Sequence, residues 1–148
     1  MKFNTKTRYG LRTMIEVAMH GKHAGILQKE ISEKQGISLK YLDPIIASLK
    51  ASGLIMNASG RMSGYILARV PEQISIYDIY KAFEKELLIA DCLSSEQDEN
   101  QDYFMAARGF WDELNEIIKD RLQSVKLKDL ADEQRDFNEN NVENMFYI

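Results

Sequence analysis

Residues that bind metals or form disulfides are scarce in this sequence of 148 residues. It contains one cysteine, Cys92, and two histidines, His20 and His23. A single cysteine excludes a disulfide within one chain, and it excludes an all-cysteine metal or iron–sulfur site, which needs four thiolates. The two histidines are three residues apart and lack the glutamate of an HExxH motif. The sequence therefore predicts no metal and no cofactor.

Long apolar runs are missing as well. No run approaches the roughly 18 residues that a membrane-spanning helix needs, and residues 1–6 lack the apolar stretch of a secretory signal. Apolar residues make up 45% of the chain and charged residues 28%, which is ordinary for a globular protein. We also find no nucleophile–base pair and no phosphate-binding glycine loop. We therefore expect a cytoplasmic protein that is not an enzyme.

Charge is divided unevenly between the two halves of the chain. Residues 1–70 hold eleven Lys and Arg against four Asp and Glu, whereas residues 71–148 hold eight against nineteen. The first half therefore carries a net charge of +7 and the second −11. This asymmetry is typical of an element that binds a polyanion, joined to one that does not. An accidental distribution of solvated charges is the alternative.

Helical patterns occupy most of the basic half. Apolar residues repeat at intervals of three and four across residues 11–19, which predicts a first helix with Thr5 as its N-cap. Residues 27–34 predict a short second helix that ends at Gly36, and Ser38 is the expected N-cap of a third. The side chains of the third helix that should face inward are Leu42, Ile45, Ile46 and Leu49.

The order of elements in this half is that of a winged helix-turn-helix. Two short helices joined by a tight glycine-containing turn form a helix-turn-helix, whose second helix enters the DNA major groove. A predicted turn at residues 59–64 then precedes a strand at 65–68. The tip offers Arg61 to a minor groove, although a plain surface hairpin fits equally. Pro44 predicts a bend in the third helix, because proline lacks a backbone N–H. The predicted fold class is mostly α with a small β-wing.

The acidic half carries the strongest helical pattern of the chain. Ser75 begins a capping box before a helix through Phe83, and residues 93–102 form an acidic loop without periodicity. The apolar residues of a long helix then follow at spacings of three or four: Phe104, Ala107, Trp111, Leu114, Ile118, Leu122 and Val125. Such a stripe needs a partner, either its copy in a second subunit or its own winged helix. We favour the copy, which divides the chain into a DNA-binding domain at 1–70, a connecting and dimerisation region at 71–132, and a tail at 133–148.

Four ordered blocks of sequence resemble one family of proteins. They are MKFNTKTRYGLRTMIEVA at the start, QGISLKYLDPIIASLKASGLI through the third helix, SGYILAR in the hairpin, and FWDELNEIIKDRLQSVKLKDLAD in the acidic half. The chain is similar up to about residue 132 to the Rrf-two (Rrf2) winged-helix regulators, which include the iron–sulfur cluster regulator and the cysteine-metabolism repressor. The resemblance implies a homodimeric transcription regulator, a repressor, on a palindromic operator in double-stranded DNA.

The resemblance also implies roles for residues by position. The implied DNA-binding residues are Lys2, Lys6, Arg8 and Tyr9 for phosphates, Ser38, Leu39, Lys40, Tyr41 and Asp43 for the major groove, and Ser59, Arg61 and Ser63 for the wing. Ser59 stands where the family usually has arginine, and this puts minor-groove reading in question. Asp43 replaces the frequent glutamate and reaches less far toward a cytosine amino group. No known operator sequence therefore carries over.

This sequence departs furthest from the family at the site that binds the cluster. Cluster-binding members carry three cysteines before the dimer helix, and Cys92 matches only the first of them. One thiolate with carboxylates is a poor ligand set for iron–sulfur chemistry, so we expect a branch without a cluster. A cluster whose ligands are completed by Glu or His is the alternative. A redox role for Cys92 would need a lowered pKa, whereas a carboxylate at the neighbouring Asp91 would raise the pKa of that thiol. A partly buried thiol without function is the preferred interpretation.

The last residues resemble those of the cysteine-metabolism repressor branch, which is controlled by a cysteine-biosynthetic enzyme. A C-terminal carboxylate beside an apolar side chain can enter a pocket that recognises both. We therefore hypothesise that Tyr147 and Ile148 bind such an enzyme; a tail that packs on its own dimer is the alternative.

A winged-helix protein-interaction module is a second possible function. Salt distinguishes it from a DNA-binding protein, because only DNA affinity falls steeply as salt rises.

Overall fold

The computed structural model describes residues 3–21, 23–61, 63–85, 87 and 105–146. Within these ranges the chain is mostly helical with one small antiparallel sheet, which confirms the predicted fold class. The elements in chain order are α1 (Thr5–His20), α2 (Gln28–Gln35), α3 (Leu39–Ala51), β1 (Ile55–Asn57), β2 (Tyr65–Leu67), α4 (Ile76–Lys81), α5 (Met105–Ser124) and α6 (Leu127–Phe146). A short 3₁₀ turn, Pro71–Gln73, joins the sheet to α4. None of the described helices is long and apolar enough to cross a membrane.

Helix α1 begins one residue earlier than its sequence indicated. Asn4, not Thr5, is the N-cap, because the Asn4 side-chain oxygen accepts a hydrogen bond from the Lys6 backbone N–H at 2.9 Å. Thr5 is the first helical residue, and its hydroxyl accepts a hydrogen bond from the Arg8 guanidinium at 3.2 Å. Both residue types favour the cap position, so the sequence alone did not separate them.

The turn between α2 and α3 follows the predicted chemistry. Gly36 ends α2 in the left-handed region, with φ of 63°, where a side chain would be strained. Ser38 caps α3, and its hydroxyl accepts from the Tyr41 N–H at 3.2 Å. Helix α3 continues through Pro44, whose side chain is exposed. The four residues predicted to face inward, Leu42, Ile45, Ile46 and Leu49, are all buried.

The small sheet is tied to the start of α2. Strands β1 and β2 are antiparallel, with Ile55 opposite Leu67. Beyond this pairing, the Ile26 N–H donates to the Tyr65 carbonyl at 3.0 Å and the Tyr65 N–H donates to the Ile26 carbonyl at 2.8 Å. Gly64 permits this close approach, because a Cβ there would lie 2.3 Å from the Ile26 carbonyl carbon. The hairpin is therefore fixed to the helix-turn-helix by backbone contacts.

The two halves of the chain share one core. Ser75 and Asp78 form the predicted capping box at the start of α4. The Ile76 N–H donates to the Val125 carbonyl at 3.0 Å, and the Leu127 N–H donates to the Ile74 carbonyl at 2.8 Å. The residues of the common buried cluster are Met14, Val17, Ile26, Ile31, Ile37, Leu42, Ile45, Ile46, Leu49, Leu54, Ile55, Ile74, Ile79 and Leu127. Residues that precede the sheet in the sequence and residues that follow it thus form one hydrophobic core.

Helix α6 runs back along α1. Leu127 and Ala131 are buried, and the Arg135 guanidinium donates to the Ala18 carbonyl at 3.1 Å, near the end of α1. The helix continues to residue 146, so the described part of the segment that the sequence marked as a tail is helical. Beyond Arg135, three apolar side chains of α6 are exposed: Phe137 is 62% accessible, Val142 54% and Met145 78%.

Candidate nucleic-acid interface

The N-terminal part of α3 presents the predicted major-groove residues on one open surface. Ser38, Leu39, Lys40, Tyr41 and Asp43 are exposed, whereas Leu42 between them is buried. Leu39 is 48% accessible, so an apolar side chain is also open to a partner on this surface. This surface combines a hydroxyl, a cation, an aromatic ring and a carboxylate. These groups can bind base edges and, through Lys40, a phosphate.

Helix α1 joins this surface through its aromatic residue. The Tyr9 ring packs edge-on against the Tyr41 ring, with centroids 5.5 Å apart. Lys6 and Arg8 are exposed on the same helix, and the Lys6 ammonium has no ion-pair partner among the described residues. The Arg12 guanidinium lies 5.1 Å from the centre of the Tyr9 ring and donates to the Gln35 side chain at 2.8 Å. Arg12 therefore braces α1 against α2. Lys2 lies outside the described residues.

The hairpin tip presents two of the three predicted wing residues outward. Ser59 and Arg61 are exposed. Ser63 is half-buried, and its hydroxyl donates to the Ala58 carbonyl at 2.5 Å, which closes the turn. The Ser63 side chain therefore has an internal partner, whereas the cation at Arg61 faces solvent.

One residue on this surface was missed by sequence reasoning. The Gln28 amide nitrogen donates to the Asp43 carboxylate at 2.5 Å, and the Tyr65 hydroxyl donates to the Gln28 side-chain oxygen at 3.4 Å. Gln28 is the first residue of α2 and lies fifteen residues before Asp43, so no local pattern signals the contact. Three elements of the winged helix therefore meet at this side chain.

Helix α5 carries a second surface, which is apolar. Leu114, Ile118, Leu122 and Val125 of the predicted stripe are half-buried, and Trp111 is 38% accessible. Leu122 lines an apolar cavity of about 110 Å³ together with residues of α1 and α4. Phe110 and Ile117 are more exposed, at 56% and 55%, and the sequence stripe omitted them. Their spacing of seven on the same side as Leu114 was the available signal. Phe104 lies outside the described residues.

A basic winged helix-turn-helix with an open third helix defines a DNA-binding transcription regulator of the winged-helix class. A family model, Rrf2, described as "Iron-dependent Transcriptional regulator", matches residues 3–133. The chain belongs to the Rrf2 family. It is 32% identical over 130 residues to protein rrf2 of Nitratidesulfovibrio vulgaris, which covers 88% of this chain and 87% of the relative. Members of this family are named as transcription regulators and not as enzymes.

Two solved structures share the fold. CymR, the global cysteine regulator of B. subtilis, superimposes with a TM-score of 0.75 at 32% identity, covering 89% of this chain and 97% of that one. IscR of T. potens gives a TM-score of 0.71 at 31% identity, covering 90% and 88%. The winged-helix arrangement described above is therefore common to this chain and to regulators of the same family.

The iron in the family description can be tested against the donor atoms present here. Among the described residues, no three His, Cys, Asp or Glu side chains come together where they could hold a metal ion. Cys92 is the single thiol of the sequence, and it lies outside the described residues. One thiol per chain does not match the four ligands of a cysteine-held cluster. The donor set therefore does not fit such a cluster.

Proposed function

We propose that two copies of this chain bind a palindromic operator in double-stranded DNA in the cytoplasm, and repress transcription there without a bound metal. The observation that carries the proposal is the exposed N-terminal part of α3, in a half of the chain that carries +7. Lys6 and Arg8 are exposed on α1, the helix whose Tyr9 ring contacts Tyr41 of α3. An open helix in a half of the chain with a positive net charge meets the electrostatic requirement for DNA binding. Repression is tested by in vitro transcription from a promoter that contains an operator selected from random-sequence duplexes by this protein.

The proposed contacts are of two kinds: contacts to phosphates position the protein on the DNA, and contacts to base edges recognise the DNA sequence. The phosphate-binding residues are Lys2, Lys6, Arg8 and Tyr9. The major-groove residues are Ser38, Leu39, Lys40, Tyr41 and Asp43, and the wing residues are Ser59, Arg61 and Ser63. In this arrangement two copies of α3 lie about 34 Å apart, one turn of DNA.

The proposed two-fold contact uses the apolar face of α5. The face comprises Phe110, Trp111, Leu114, Ile117, Ile118 and Leu122. The proposed contact also includes Val125, which directly follows the helix, and Phe104, which lies outside the described residues. An antiparallel pairing with the second copy would cover the exposed Phe110 and Ile117 side chains and create the symmetry that a palindrome requires. The exposure of these two side chains supports pairing with a copy over packing on the chain's own winged helix.

Salt dependence tests whether the basic surface binds DNA. We expect the logarithm of the affinity for a 20-base-pair duplex to fall linearly with the logarithm of salt concentration. The Lys6→Ala variant should lower that slope by about 1, because one phosphate contact is lost. Fluorescence anisotropy at several salt concentrations measures both slopes. Lys128→Ala, which removes the same charge from α6, should leave the slope unchanged. A wild-type affinity independent of salt would instead support the protein-interaction module.

We further propose that a cysteine-biosynthetic enzyme binds the end of the chain through Tyr147 and Ile148, two residues outside the described ranges. The exposure of Val142 and Met145 on α6 supports an external partner, because these side chains are not covered by the described body. The likeness to a structure named as a global cysteine regulator is consistent with this link to cysteine supply.

Removal of residues 145–148 tests this partner. We expect the truncated chain to lose at least about tenfold in affinity for an O-acetylserine-using cysteine synthase, because the pocket-binding residues are gone. Biolayer interferometry with the immobilised synthase measures the affinity. Asp136→Ala on the same helix should bind as the wild type does. Undiminished capture of the truncated chain would rule the tail out as the docking segment.

A further inference from the structure

Gln28 connects the recognition helix to the wing. Its amide nitrogen donates to one Asp43 oxygen at 2.5 Å, and its side-chain oxygen accepts from the Tyr65 hydroxyl at 3.4 Å. Tyr65 is held in turn by two backbone hydrogen bonds to Ile26, two residues before Gln28. The Asp43 carboxylate can only accept hydrogen bonds, so the NH₂ group of Gln28 faces it and the amide oxygen is left toward the Tyr65 hydroxyl.

This contact restricts an otherwise exposed carboxylate. Asp43 lies in the second turn of α3 and is open to solvent, where an aspartate side chain would change rotamer freely. A charge-assisted hydrogen bond to one carboxylate oxygen favours a single orientation and leaves the second oxygen available to another donor. The donors in the major groove are the amino groups of cytosine and adenine.

We propose that Gln28 is a positioning residue for base recognition: it holds Asp43 in the orientation that selects cytosine or adenine, the bases with a major-groove amino group, at one position of one operator strand. This inference rests on the proposed DNA-binding function and deepens it. Gln28 acts through Asp43 and need not touch DNA itself. Without the amide, Asp43 remains present but adopts several orientations, so its preference for one base weakens while the phosphate contacts are unchanged.

Selection from random-sequence duplexes, followed by binding of single-base variants of the selected operator, tests the proposal with the full-length protein. Asp43→Ala first identifies the operator position that Asp43 reads. Gln28→Leu, of similar size, should lose about fivefold in discrimination at that same position. Its affinity for an unrelated duplex should change less than about twofold, since the cations that bind phosphates are intact. The double variant should lose no more than Asp43→Ala alone, because both act through one contact.

Matched variants separate positioning from folding. Gln73→Leu makes the same replacement at an exposed site in the 3₁₀ turn and should retain wild-type base preference. Gln28→Glu places a carboxylate beside Asp43 and should weaken the same base preference by repulsion, which keeps the test open if the leucine variant unfolds. Wild-type preference in both Gln28 variants, or additive losses in the double variant, would overturn the proposal. A wild-type protein that selects no sequence at all would overturn the proposed function, and this inference with it.

Discussion

Replacement of Ile117 by aspartate is expected to convert the proposed dimer to a monomer. The side chain is 55% accessible in the single chain and lies on the apolar face of α5, so pairing with a copy would bury it. Each copy then loses an apolar contact and gains a carboxylate that must be desolvated. Because the contact is two-fold symmetric, both copies contribute this loss of dimerisation free energy. We expect dimerisation to weaken by at least about 100-fold, as measured by sedimentation equilibrium.

Binding to a palindromic operator should weaken with it. A monomer engages one half-site at a time and loses the gain in effective concentration that linkage to the second half-site provides. Gln123→Asp introduces the same carboxylate on the opposite, exposed side of α5 and should leave the protein dimeric. An Ile117→Asp variant that sediments as the wild type does would show that the α5 face is not the subunit contact.

Replacement of Gly64 by alanine is expected to destabilise the winged helix strongly. The added methyl would lie 2.3 Å from both the carbon and the oxygen of the Ile26 carbonyl group, and backbone cannot move aside as a flexible side chain can. The strand must separate from Ile26 and lose the paired hydrogen bonds of Tyr65. We expect the free energy of unfolding to fall by about 3 kcal/mol. Tm should then fall by about 10 °C.

Urea unfolding followed by circular dichroism measures this change. Gly109→Ala is the matched control, because a Cβ at this exposed position of α5 meets nothing within 4 Å. Alanine there should raise the free energy of unfolding by about 0.5 to 1 kcal/mol, since glycine is a poor helix former. Equal stability of the Gly64→Ala variant and the wild type would mean that the hairpin can shift away from α2 at little cost.

The winged helix could be predicted from the sequence because its signals are local. Gly36, Ser38 and the apolar spacing of α3 fix a helix, a turn and a second helix within about twenty-five residues. The capping box at Ser75 is similarly complete within four residues. The N-cap of α1 was misplaced by one residue, because Asn4 and Thr5 are adjacent and both can cap. The helical state of residues 133–146 was not predicted, since that polar stretch has no clear apolar period.

For the candidate site, the sequence predicted which side chains are exposed but not which side chains contact each other. Position along α3 was enough to expect exposed side chains at Lys40 and Asp43. The contact between Gln28 and Asp43 depends on how two helices cross, which no spacing within either helix encodes. Similarly, the apolar stripe of α5 could be predicted from its spacing. Which edge of the stripe is buried within the chain depends on how α4 packs against α5. Phe110 and Ile117 emerged as the open flank only once that packing was known.

The shared core has a consequence for how this protein can be taken apart. Leu127 of α6 and Ile74 and Ile79 around α4 lie in the same buried cluster as the helix-turn-helix. A fragment ending at residue 70 would expose the apolar surface that these side chains now cover. Grafting that fragment onto a foreign dimeric scaffold, a common way to make chimeric regulators, would therefore transplant an incomplete domain. We therefore expect a fragment that folds by itself to include α4 and the start of α6.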